Sequence, residues 1–128
     1  MPATQPVAPA GDGRSTIPAA METFTAIAEA WSIGTDDQIK LLGSPGRSTF
    51  FKWKKDGGSL PRDAVERVSH LVSIYKALQI LIPNEESADT WIKRPSKYFG
   101  ERSALDVMLG GDVVDIYRVR QYLDAQRG

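Results

Sequence analysis

Apolar residues fall at helical spacing along most of this chain. Phe24, Ile27, Ala28 and Trp31 recur at steps of three and four, which predicts an amphipathic helix over residues 21–32. Gly34 ends it. Thr35-Asp36-Asp37-Gln38 then supplies a cap and early acids for a second helix carrying Ile39, Leu41 and Leu42. Gly43 stops that helix, and Ser44-Pro45-Gly46 is a tight turn by composition. Residues 46–55, GRSTFFKWKK, predict a short third helix ended by Asp56-Gly57-Gly58.

Pro61 suits a first helical position, and a long helix is predicted over 61–82. At 100° per residue, Val65, Val68, Leu71, Val72, Ile74, Tyr75, Leu78, Leu81 and Ile82 span an arc of about 200°. A lone surface helix buries about half of that. This helix is therefore expected to be covered on two sides, by two sub-layers of one core or by a second subunit. Pro83-Asn84-Glu85-Glu86 restarts the chain as a cap with acids, leading a helix through Trp91 and Ile92 that Pro95 breaks. Tyr98-Phe99-Gly100 makes an aromatic turn, and Ser103–Leu109 a short helix stopped by Gly110-Gly111. Asp112 caps a last helix, 112–126, with Val113, Ile116, Tyr117, Val119 and Leu123 on one face. No strand is expected. Sequential helices with short connections predict an all-α fold.

Residues 1–20 differ. They hold four prolines and no aromatic residue, too little apolar surface to offset the entropy of ordering, and are expected to be a disordered tail.

Composition narrows the function classes. Cysteine is absent from the 128 residues, which excludes a disulfide framework, a thiolate zinc site and a cysteine nucleophile. His70 is the single histidine, so a His-rich metal site is excluded too. Gly57-Gly58 and Gly110-Gly111 lack the residues of a phosphate loop, so no cofactor is expected. Asp36-Asp37 and Glu85-Glu86 are paired carboxylates, but each sits in the first turn of a predicted helix, where the dipole favours acids. Apolar runs are too short to span a membrane and no apolar leader opens the chain, so a cytoplasmic protein is expected. Lys+Arg and Asp+Glu are both 16, which removes the charge excess of a strongly basic nucleic-acid binder but not a local basic patch.

Such a patch lies in 35–56. Two short helices are joined by a Gly-Ser-Pro-Gly turn, and the second carries Arg47, Lys52, Lys54 and Lys55 with no acid. This is a helix-turn-helix layout, whose second helix enters a major groove. Phe50 and Trp53 would face inward. Ser48, Lys52 and Lys55 share an outer face, and Arg47, Ser48 and Thr49 stand at the end that meets base edges. Gln38 is placed to reach a phosphate. A solvated face of an ordinary helical hairpin would have the same composition. Phe51 stands beside the lysine face, where it could touch thymine methyls, fill a core gap or meet a partner.

The last helix is the second unusual place. Arg118, Arg120 and Arg127 accompany Tyr117 and Tyr122, residue types enriched at interface hot spots. Cations near a helix C-terminus also suit its dipole. His70, on the edge of an apolar arc, reads as structural.

The run YFGERSALDVMLGGDVVDIYRVRQYLDAQRG, with Trp91 ahead of it, resembles the toxin-binding domain of the Xre/MbcA/ParS antitoxins. SPGRSTFFKW and LPRDAVERV, within 35–81, resemble the helix-turn-helix these proteins carry. The resemblance implies a helix-turn-helix domain over 21–83 and a small helical toxin-binding domain over 84–128. It implies a RES-domain toxin as partner, whose NAD-consuming cleft the antitoxin plugs, and no enzymatic activity of its own. Arg118, Arg120, Tyr122 and Arg127 are then the toxin contacts. It also implies operator DNA as a second partner, a homodimer, and a larger hetero-oligomer with the toxin. A stand-alone dimeric repressor is the alternative reading.

Overall fold

A computed structural model describes residues 17–55 and 58–128. The chain folds as α1 (Ala19–Ala30), α2 (Thr35–Leu41), α3 (Arg47–Lys55), α4 (Arg62–Leu81), α5 (Glu85–Thr90), α6 (Ala104–Met108) and α7 (Val113–Arg127). Single 3-10 turns at Trp91–Lys93 and Lys97–Phe99 come after α5. The all-α expectation holds, with one addition. Pro95–Ser96 (β1) and Arg102–Ser103 (β2) pair antiparallel, Pro95 opposite Ser103 and Ser96 opposite Arg102. A two-residue ladder is too short to show alternation, so the sequence pattern predicts no strand there.

Helix α4 is the axis of the molecule. Helices α1 and α7 lie against it, α5 touches it near its end, and α3 packs on α1. Leu71, Ile74 and Leu78 of α4 are fully buried in one core with Met21 and Phe24 of α1, Trp31 just after it, and Ile116, Val119 and Leu123 of α7. The broad apolar arc is therefore covered within one chain, and it gives no support to a dimer. Val65 is the exception, at 44% exposed.

Boundaries shift by a residue or two for local reasons. Pro18 takes the position before α1, and its carbonyl accepts from the N–H groups of Met21 and Glu22. Helix α1 thus opens before residue 21, with Ile17 half-buried on the core. Residues 1–16 of the expected tail lie outside the described residues. Gly34, not Thr35, caps α2, and Pro61 caps α4 instead of opening it. Asn84 and Asp112 cap α5 and α7 as expected, whereas Ser103, expected as the first residue of its helix, is the cap of α6. Asn84 accepts from the Ser87 N–H, and Ser103 and Asp106 form a reciprocal capping box.

One buried side chain ties the two halves. Arg67 is 7% exposed; its Nε donates to Asp63 Oδ2 at 2.8 Å and its Nη2 to the Gly111 carbonyl at 2.9 Å. Gly43, at φ +95°, approaches from the turn before α3; a Cβ there would stand 2.9 Å from Asp63 Oδ2 and 3.2 Å from Arg67 Nε. Only glycine combines that backbone with that clearance.

Candidate functional site

Two surfaces collect the candidate residues. The first is α3 with the start of α2. Phe50 and Trp53 are buried, which turns Ser48, Phe51, Lys52 and Lys55 outward and sets Arg47 and Thr49 on the flanks. Arg47 Nη1 donates to Asp36 Oδ1 at 2.7 Å, and both side chains remain largely in solvent. The same guanidinium lies 5.7 Å from the centre of the Phe51 ring. Phe51 is 44% exposed and meets Phe50 edge-on at 5.2 Å. Lys54 sits over the Phe50 ring.

Gln38 does not point outward with this group. Its Nε2 donates to the Ile33 carbonyl at 2.7 Å and its Oε1 is buried. The side chain thus fastens the start of α2 to the preceding turn, a role that helical position alone does not reveal. Thr49 faces a separate recess of about 280 Å³, with Pro45, Trp53 and Asp63 on its walls.

The second surface is one side of α7. Arg118, Gln121, Tyr122, Ala125 and Gln126 line an open recess of about 510 Å³, with Tyr98 as its opposite wall. Tyr122 is the hub of an aromatic cluster. Its ring centre is 4.3 Å from Tyr98, 5.5 Å from Phe99 and 6.3 Å from Trp91, the last nearly parallel at 13°. The 3-10 turn after β1 delivers Tyr98 and Phe99 to this place: Phe99 goes into the core and Tyr98 stays 62% exposed. Arg118 has no hydrogen-bond or ionic partner among the described residues.

The four candidates on this helix do not form one cluster. Arg118 and Tyr122, four apart, share the recess. Arg120 and Arg127 fall on the far side of the helix. Arg120 turns back to α4, where its Nη1 donates to His70 Nδ1 at 2.9 Å and its Nε lies 3.5 Å from Asp124. His70 must accept at Nδ1, so its proton is on Nε2, which faces Glu66 at 3.6 Å. His70 also packs against Tyr117. The histidine is structural, and Arg120 is its partner. Arg127 is exposed. Sequence reasoning omits Tyr98, Gln121 and Gln126 from the site. Gln121 and Gln126 are legible from their steps of three and four to Arg118 and Tyr122; Tyr98 depends on a chain reversal.

Among the described residues no group of His, Asp and Glu could hold a metal ion, and no helix is long and apolar enough to cross a membrane. Comparison with known families decides the class. Residues 77–128 match the antitoxin Xre/MbcA/ParS C-terminal toxin-binding domain, and residues 13–73 match the antitoxin Xre-like helix-turn-helix domain. The chain belongs to the Xre/MbcA/ParS antitoxin family. Its domains are regulatory and binding modules, so this antitoxin is not an enzyme. The two matched segments meet inside α4, the helix that both halves share. An uncharacterized protein of Sinorhizobium fredii, y4oB, is 63% identical over 128 residues, covering 98% of each chain. Every wall of the α7 recess, Tyr98 included, falls within the toxin-binding match.

Proposed function

We propose that this antitoxin neutralises a RES-domain toxin by covering its NAD cleft, and that α3 binds operator DNA to repress the pair's own transcription. The observation that carries the first part is Arg118, unpaired among the described residues at the rim of an aromatic recess inside the segment matched as toxin-binding. An arginine free of carboxylates can offer its planar fork to a partner. Tyr98 and Tyr122 beside it supply broad contact area that loses little side-chain entropy on binding. The mechanism is occlusion: a buried cleft admits no NAD, and no chemistry by the antitoxin is required. A stable contact of this kind buries about 1,200–2,000 Å² in total.

The roles of the four expected residues then divide. Arg118 and Tyr122 contact the toxin, Arg127 contacts it from the end of α7, and Arg120 positions α7 through His70. A homodimer in this reading uses the apolar recess of Val113, Val114 and Tyr117 beside His70, since α1 and α7 already cover α4.

The test is co-expression with the adjacent open reading frame, pull-down, and NAD consumption by the partner with and without the antitoxin. Co-purification with suppressed NAD consumption supports the reading. An uninhibited partner, or none, refutes it and returns the stand-alone repressor.

A further inference from the structure

We infer that α3 reads a thymine–guanine step, with Arg47 on the guanine and Phe51 on the methyl group of the thymine. The inference rests on the proposed binding of DNA by α3 and adds the base chemistry that α3 recognises.

The core side of α3 is filled by Phe50 and Trp53, so Phe51 fills no core gap. It stands on the outward face with 44% of its surface in solvent, held edge-on by Phe50. A large apolar ring kept in place on a groove-facing surface matches one feature of the major groove, the thymine 5-methyl group.

Arg47 is one helical turn before it and is held from two sides. Asp36 accepts from Nη1 at 2.7 Å, and the Phe51 ring centre lies 5.7 Å from the guanidinium carbon. An arginine that only neutralises phosphate gains from an uncompensated charge, and a carboxylate partner cancels that charge. An arginine that reads a base gains from being oriented before contact. With Nη1 on Asp36, the Nε and Nη2 edge has no partner among the described residues. That edge carries two parallel donors, which match guanine O6 and N7. A thymine stacked next to that guanine presents its methyl group beside the arginine plane, where the Phe51 ring closes an apolar slot. Lys52 and Lys55, without acidic partners among the described residues, supply the phosphate contacts.

The experiment uses the full chain. Selection from random duplexes precedes fluorescence anisotropy on the selected duplex, at fixed salt. Two changes probe the step: thymine to uracil, which removes only the methyl group, and guanine to 7-deazaguanine, which removes the N7 acceptor. The wild-type chain should bind the uracil duplex about fourfold more weakly, the worth of one buried methyl. It should bind the 7-deazaguanine duplex roughly tenfold more weakly, from the loss of bidentate pairing. Phe51→Ala should bind the thymine and uracil duplexes equally while still rejecting 7-deazaguanine. Arg47→Ala should lose the 7-deazaguanine response. Asp36→Asn should weaken that response while leaving binding to random duplex unchanged or stronger. Phe51→Leu, which retains an apolar side chain, covers the case in which Phe51→Ala fails to fold, and should keep part of the methyl response. A selected site without a thymine–guanine step, or a Phe51→Ala chain that still discriminates uracil, overturns the inference and leaves DNA binding standing. No binding to any duplex overturns the DNA-binding reading and the inference with it.

Discussion

Arg118 and Arg120 stand two residues apart and face opposite environments. Arg118 touches nothing that its removal would strand. Arg118→Ala should therefore leave stability within about 0.5 kcal/mol of wild type. As a hot spot, it should weaken toxin binding on the same change by about 2 kcal/mol or more, read by calorimetry against the purified partner. Arg120→Ala breaks the bond to His70 and should lower unfolding stability by about 1–2 kcal/mol in urea titration. His70→Ala should cost less in an Arg120→Ala background than alone, because both remove one interaction. Equal unfolding midpoints for Arg120→Ala and wild type would contradict this. Gly43→Ala tests the other close approach. A Cβ 2.9 Å from Asp63 Oδ2 at φ +95° should destabilise by about 1–3 kcal/mol.

At the scale of elements, α4 explains why two functional segments make one core. Leu71→Ala, at a fully buried site of α4, should cost about 2–5 kcal/mol and unfold both halves in one transition. Arg67→Met removes the bonds to Asp63 and Gly111 and should cost about 2 kcal/mol. Two separate denaturation steps in either variant would refute a shared core. The helices are legible in the sequence because their signals are local. Ile116, Val119 and Leu123 repeat within two turns, and Asn84 and Ser103 each cap the helix next to them. The pairing of Arg120 with His70 spans 50 positions, and that of Arg67 with Gly111 spans 44. No periodicity encodes such contacts, so the sequence does not pair Arg120 with His70 and does not single out Arg67. The Gln38 contact is hidden for a related reason: its helical position is as expected, and its amide finds the Ile33 carbonyl five residues back.

For the whole molecule, the 200° arc of α4 is satisfied within the chain, so a dimer must draw on the surface that remains outside. Val65, Val114 and Tyr117 are exposed apolar residues, the last two lining the recess beside His70. Light scattering at micromolar concentration should give twice the 14.1 kDa chain mass for wild type and 14.1 kDa for Val114→Glu. A wild-type monomer would remove the dimer from the account. Neutralisation is tested at the α7 recess. Deleting 118–128 is a poor test of it, because Val119 and Leu123 belong to the core and their loss would unfold α7. A single charge reversal at the recess is cleaner. The decisive measurement is NAD consumption by the co-expressed partner, titrated with wild-type antitoxin and with Arg118→Glu, after both are shown to melt alike. The account predicts that wild type abolishes consumption near equimolar ratio and that Arg118→Glu leaves the partner active there. Full suppression by Arg118→Glu at the same ratio would contradict the assignment of the α7 recess as the surface that covers the toxin.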